Sequence, residues 1–142
     1  MANVLVVYWS GTGNTEIMAE KIKEGLEAGG ATVDLRSVDQ VDPGEINDFD
    51  KIAFGCPSMG VEVLEEEEFE PFFAEVESQL QGKKVALFGS YGWGEGEWME
   101  EWQTRTQDTG AELFEQGLMI NSTPSSEQEE ECVEFGQRFA AF

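Results

Sequence analysis

The chain has 142 residues, with 30 Asp and Glu against 8 Lys and Arg, no His and 40% hydrophobic residues, for a formal net charge of −22. That length is one domain's worth, able to bury roughly 68–70% of its unfolded surface, and the ordinary apolar share makes the acidity a surface property rather than a sign of disorder. A field this negative excludes nucleic acid and anionic membrane as partners and favours basic protein surfaces, while the lack of His removes Ser-His and Cys-His nucleophilic machinery and argues against a transition-metal site.

In chain order, the apolar run Val4–Tyr8 reads as a first buried strand. Residues 15 to about 28 read as a helix, with Ile17, Met18, Ile22 and Leu26 near helical spacing and Gly29-Gly30 as its stop. Thr32–Arg36 is a second, shorter strand and Asp50–Gly55 a third. A helix from about Phe69 to Leu80 buries Phe69, Phe72, Phe73 and Val76, and Gly82 ends it. Lys84–Gly89 is a fourth strand, buried on both faces. A helix from Gly96 to about Thr109 carries Trp98 and Trp102 four apart, a core-facing spacing. Glu112 to about Ile120 supplies a fifth strand, and a last helix runs from Ser126 with Cys132, Val133, Phe135, Phe139 and Phe142 near one face.

Strands alternating with helices predict an α/β fold: an open, doubly wound, five-stranded parallel sheet with helices on both faces, over residues 1–142 as a single domain. Right-handed crossovers bring the loops after the strands to one edge, where open sheets bind ligands. No apolar run approaches a membrane span, and Val4–Tyr8 is too short for the core of a signal peptide. Cys56 and Cys132 sit in no metal or redox spacing, so two free thiols in a reducing cytoplasm are expected.

Three loops at that edge carry the chemistry. In the first, Trp9-Ser10-Gly11-Thr12-Gly13-Asn14-Thr15-Glu16, a buried strand passes through small and hydroxyl residues into a helix, which makes an anion site from backbone N–H groups and the helix dipole. It lacks the Lys of a triphosphate loop, and Glu16 stands where a dinucleotide loop needs Gly. The hydroxyls of Ser10, Thr12 and Thr15 with the amides of residues 12–15 suit a terminal phosphate monoester. In the second, Gly55-Cys56-Pro57-Ser58-Met59-Gly60-Val61-Glu62, Met59 is polarizable and suited to lie against an aromatic ring, and Glu62 can accept from a ring imide. In the third, Gly89-Ser90-Tyr91-Gly92-Trp93-Gly94-Glu95-Gly96, glycines leave Trp93 uncrowded, as a stacking wall requires.

Together, in order and separation, these loops resemble those of flavodoxins of the short-chain type found in anaerobic bacteria, and the likeness spans essentially the whole chain. The resemblance implies strand order 2-1-3-4-5 and FMN at the switch point of the sheet. It implies that Ser10, Thr12, Asn14 and Thr15, with Gly11 and Gly13 between them, hold the FMN phosphate. Met59 would cover one face of the isoalloxazine and Trp93 the other, Glu62 would meet the pyrimidine edge, and the Gly60 carbonyl would turn toward flavin N5 in the semiquinone. Ser58, Ser90, Tyr91, Gly92 and Gly94 would line the ring, and Asn121, after the fifth strand, is placed to reach the site. The implied function is that of a low-potential one-electron carrier, not an enzyme, moving between semiquinone and hydroquinone. The expected protein is a cytoplasmic monomer that docks basic-rimmed redox partners. The alternative is a flavin-dependent NAD(P)H or quinone reductase on the same fold, for which 142 residues leave little room to build a substrate pocket. A phospho-receiver domain is set aside, because Tyr8-Trp9, Gly55-Cys56 and Asn121 stand where it needs carboxylates and a Lys.

Two expectations concern tuning. A type II turn over Met59-Gly60-Val61-Glu62 needs positive φ at the β-branched Val61, whereas a type II′ turn needs it only at Gly60. Val61 is therefore expected to bias the loop toward the turned-in Gly60 carbonyl, or to force a cis peptide in the oxidised protein. The acidic set Glu62, Glu65 to Glu68, Glu95 and Glu97 is expected to ring the flavin and oppose its second electron.

Overall fold

The computed structural model describes residues 3–59, 63–92 and 94–142. Strands β1 (Asn3–Tyr8), β2 (Thr32–Ser37), β3 (Lys51–Gly55), β4 (Lys84–Tyr91), β5 (Glu112–Leu113) and β6 (Leu118–Asn121) alternate with helices α1 (Asn14–Ala28), α2 (Phe69–Val76), α3 (Glu97–Asp108) and α4 (Ser126–Ala141). All pairings between these strands are parallel, in the order β2-β1-β3-β4-β5, with β6 also on β4. The expected order 2-1-3-4-5 is borne out.

The period-2 alternation of the central strands sorts their side chains into two cores. Leu5, Val7, Ile52, Phe54, Val85 and Leu87 face α2 and α3. Val4, Val6, Ala53, Ala86 and Phe88 face α1 and α4. On the first side Trp98 and Trp102 are 2% and 1% exposed, core residues as their spacing predicts. Trp102 meets Phe69 and Phe73 edge-on at ring separations of 5.5 and 5.8 Å. On the second side α1 and α4 touch backbone to backbone. A Cβ on Gly25 would lie 1.9 Å from the Val133 carbonyl oxygen, and one on Gly136 would lie 2.2 Å from that of Ile22. Only glycine permits that approach.

Three features differ from expectation. The fifth strand is split: β4 advances three residues from Val85 to Phe88 while its partner advances five, from Leu113 to Leu118. The two surplus residues are absorbed around Glu115, at φ 49°, while Phe114 N–H still donates to the Val85 carbonyl at 2.7 Å. β4 runs on to Tyr91 because β6 supplies a partner there. Residues 38–48, unassigned from sequence, form two 3₁₀ turns, Val38–Gln40 and Pro43–Asp48. Asp42 and Glu45 close a capping box on the second, and its Ile46 is buried.

Lysines hold the amino-terminal edge of the sheet. Lys51 Nζ donates to the Phe139 and Ala140 carbonyls at the end of α4, at 2.9 and 2.8 Å, Lys83 Nζ to the Phe49 carbonyl and Lys84 Nζ to that of Phe142. On the outer side Arg105 ties α3 to α2, with a two-pronged contact to Glu70 at 2.7 Å and one to Glu77 at 2.8 Å.

Candidate functional site

The chain leaves β1 to opposite sides, toward β2 and, by way of β2, toward β3, so the sheet's order reverses between β1 and β3. There the loop of residues 9–13 meets the segments after β3 and β4. Gly13, at φ 97°, turns the chain into α1 in a conformation costly for other residues. Ser10 Oγ accepts from the Gly13 amide at 3.1 Å and the Glu16 amide at 3.3 Å, so its own O–H is left to donate outward. Among the described residues, the amides of Gly11, Thr12, Asn14 and Thr15 have no protein acceptor. These are the donors that a helix start and a tight loop leave unmatched.

The hydroxyl residues divide by role. Thr15 and Ser90 are buried, and their hydroxyls pair at 3.0 Å, locking the start of α1 to β4. Thr12 is exposed and free to meet a ligand. The Asn14 carboxamide oxygen accepts from Thr123 Oγ at 3.0 Å, tying the loop after β6 to the first loop.

A cavity of about 220 Å³ opens beside these amides, lined by Trp9, Gly11, Thr12, Asn14, Pro57, Ser58, Met59, Ser90, Tyr91, Gly92 and Ser122. The structure thus brings together Gly11, Thr12, Asn14, Ser58, Met59, Ser90, Tyr91 and Gly92 of the residues named from sequence. Ser10, Gly13 and Thr15 support the loop from behind. Gly94 is exposed at φ 91° and Asn121 pairs with Tyr91 in the ladder, and neither lines the cavity. In place of Asn121 its neighbour Ser122 does, held by a 2.8 Å bond from its N–H to the Tyr91 carbonyl. Trp9, Pro57 and Ser122 are the lining residues that the sequence reading missed. Gly60, Val61, Glu62 and Trp93, with the turn expected at Val61, lie outside the described residues.

The second loop is closed at both ends. Met59 and Val63 exchange two backbone bonds, at 2.8 and 3.0 Å, and Ser58 N–H donates to the Ser90 carbonyl at 3.0 Å. Cys56 Sγ accepts from the Glu65 amide at 3.4 Å, and the Cys56 carbonyl accepts from Trp98 Nε1 at 3.3 Å. Burial pushes the Cys56 thiol far above the ordinary range, and the Cys132 thiol up to about 12, so neither is a nucleophile at neutral pH. Glu65 is a correction to the uniform acidic rim. It is 5% exposed, and its carboxylate accepts the amides of Glu67, Glu68 and Phe69, each at 2.8 Å, where α2 begins. Glu66, Glu67, Glu68, Glu95 and Glu97 are exposed.

Unmatched amides on the first loop and the apolar surfaces of Met59 and Tyr91 suit a flat ring system bearing a phosphate. The residues present therefore fit FMN. A larger groove of about 890 Å³, lined by Glu77, Glu100, Thr104, Arg105 and Asp108 among others, does not fit an anion, since Glu70 and Glu77 already engage its guanidinium. Among the described residues no cluster of His, Cys, Asp and Glu could hold a metal, and no helix is long and apolar enough to cross a membrane.

Comparison with known proteins agrees with this geometry. The flavodoxin family model matches residues 6–136. A flavodoxin of Clostridium beijerinckii is 47% identical over 135 residues, covering 95% of this chain and 97% of that protein. One of Megasphaera elsdenii is 46% identical over 137 residues, covering 96% and 98%. The solution structure of the two-electron reduced Megasphaera elsdenii flavodoxin superposes with a TM-score of 0.89 at 45% identity, over 98% of this chain and 99% of that one. A flavodoxin from the domain Archaea gives the same TM-score at 28% identity, over 98% and 96%. With its sheet order, its amide-lined first loop and relatives that match it from end to end, the chain belongs to the flavodoxin family.

Proposed function

We propose that this protein is a one-electron carrier built on non-covalently bound FMN, acting as a single binding unit over residues 1–142. The observation that carries the reading is the set of unmatched amides at Gly11, Thr12, Asn14 and Thr15 beside an apolar-walled cavity. When bound, FMN supplies the redox chemistry, and the protein sets its potential and its access. The amides and Ser10 O–H bind the phosphate through neutral donors. Met59 and Tyr91 remove water from the ring. The site residues act by binding and orientation, which supports a carrier and not an enzyme.

The exposed carboxylates Glu66, Glu67, Glu68, Glu95 and Glu97 oppose added negative charge on the flavin. One carboxylate at about 10 Å in an effective dielectric of about 60 costs roughly 0.5 kcal/mol, or on the order of 20–25 mV for one electron. Several together lower the second one-electron potential. The same charges suit brief, salt-sensitive docking on basic-rimmed redox partners by a cytoplasmic monomer.

The test is a spectroelectrochemical titration of the FMN-loaded protein. Two separated one-electron steps are expected. A single two-electron step together with rapid hydride uptake from NAD(P)H would instead support a reductase.

A further inference from the structure

Trp9 joins two parts of the site that the sequence treats as separate. Its backbone N–H donates to the Gly55 carbonyl at 3.0 Å, which fixes its root to the end of the sheet. The far edge of its indole supports Gly11: a Cβ built there would lie 2.9 Å from Trp9 Cη2 and 3.2 Å from Cζ3. Its Nε1 donates to Glu68 Oε1 at 3.2 Å, across 59 residues of sequence. Glu68 is itself held, since its amide donates to the buried Glu65 carboxylate at 2.8 Å. The indole is thus gripped at its N–H and loaded at its benzo edge, and the load is the loop whose amides face the cavity.

We propose that Trp9 is a positioning residue for the phosphate end of FMN, a prop fixed by Glu68 that sets the height of Gly11 and Thr12. This rests on the FMN reading above. A side chain at Gly11 would press on the indole edge and push it from Glu68. The turn ahead of α2 thereby holds the phosphate loop, although no residue of that turn lines the cavity.

FMN and riboflavin differ only in the phosphate, so the prop is felt by one and not the other. Dissociation constants for both are to be measured by flavin fluorescence quenching on the full-length protein, freed of flavin and reloaded, with circular dichroism confirming that each variant is folded. Trp9→Phe keeps an aromatic wall but loses the N–H and the benzo edge. It is expected to weaken FMN on the order of tenfold while changing riboflavin less than about twofold. Glu68→Ala should match it, and Glu68→Gln, which retains an acceptor, should stay near the parent. Gly11→Ala should weaken FMN on the order of tenfold in the parent but less than about threefold in the Trp9→Phe background, where the clashing atoms are gone. Equal losses for FMN and riboflavin, or independent effects of Gly11→Ala and Trp9→Phe, overturn the proposal. Failure of the parent protein to bind FMN would overturn the functional reading instead.

Discussion

In the proposed phosphate site, Ser10 would let neutral groups hold an anion in a protein of net charge −22. One oxygen gathers two amides and so shapes the loop, and its proton remains for the ligand. Ser10→Ala leaves the Gly13 and Glu16 amides without an acceptor and removes a donor. It is expected to raise the FMN dissociation constant by at least about tenfold in a fluorescence titration. The cysteines make a second residue-scale case. Burial holds both thiols protonated, so a thiol reagent at pH 8 should label neither in the folded protein and both after denaturation. Rapid labelling of Cys56 in the native state would contradict its packing beneath the second loop. At this scale the sequence was only partly readable. The hydroxyls and glycines of the first loop stood out by their pattern, and Met59 by its place at a loop tip and by the resemblance. Trp9 did not, because the partner that gives it a role is Glu68, distant in the chain. Glu65 was hidden differently: within a run of four glutamates nothing marks the one whose carboxylate turns inward to cap α2.

Elements meet most tightly where α1 crosses α4. Gly136→Ala drives a methyl against the Ile22 carbonyl, a backbone atom that cannot swing away. The helices must separate, and a loss of about 1–3 kcal/mol in unfolding free energy is expected from chemical denaturation. This interface lies in the second half of α1, roughly 13–18 Å along the helix from the first loop, so FMN binding should change little. Strand and helix identities were legible because each apolar run had the right period for its partner layer. The break between β5 and β6 was not, since the residues around Glu115 carry no Gly-Pro or Asn-Gly signal and the surplus appears only in register against β4. The turns at 38–48 went unassigned, because Asp42-Pro43-Gly44-Glu45 caps a short turn that lacks the apolar periodicity of a longer helix.

Charge acts on the whole molecule. Neutralising Glu66 and Glu67 together to Gln should raise the second one-electron potential of the bound flavin by roughly 40–50 mV at low salt, and less at high salt. A fall in potential would contradict the electrostatic account. Alkaline stability follows from groups kept neutral by folding. Desolvation, aided by Glu16, raises Tyr8 from 10.0 to about 12, and desolvation raises Cys132 from 9.0 to about 12. Both release protons more easily when unfolded, so their contributions are intact below pH 9 and are lost as pH rises toward 12. The thermal midpoint should therefore fall across that interval, and Tyr8→Phe should lessen the fall.

The lysines that clasp the end of α4 have a consequence for motion in solution. Lys51 and Lys84 stand at the opposite edge of the sheet from Glu66, Glu67, Glu68, Glu95 and Glu97, a strand's length or roughly 20–25 Å away. The protein is consequently an electric lever as well as a polyanion. Toward the basic-rimmed partner proposed above, this offset is expected to turn the cavity edge forward before contact. On that proposal, the side chains that fasten the last helix also bias which end of the molecule arrives first.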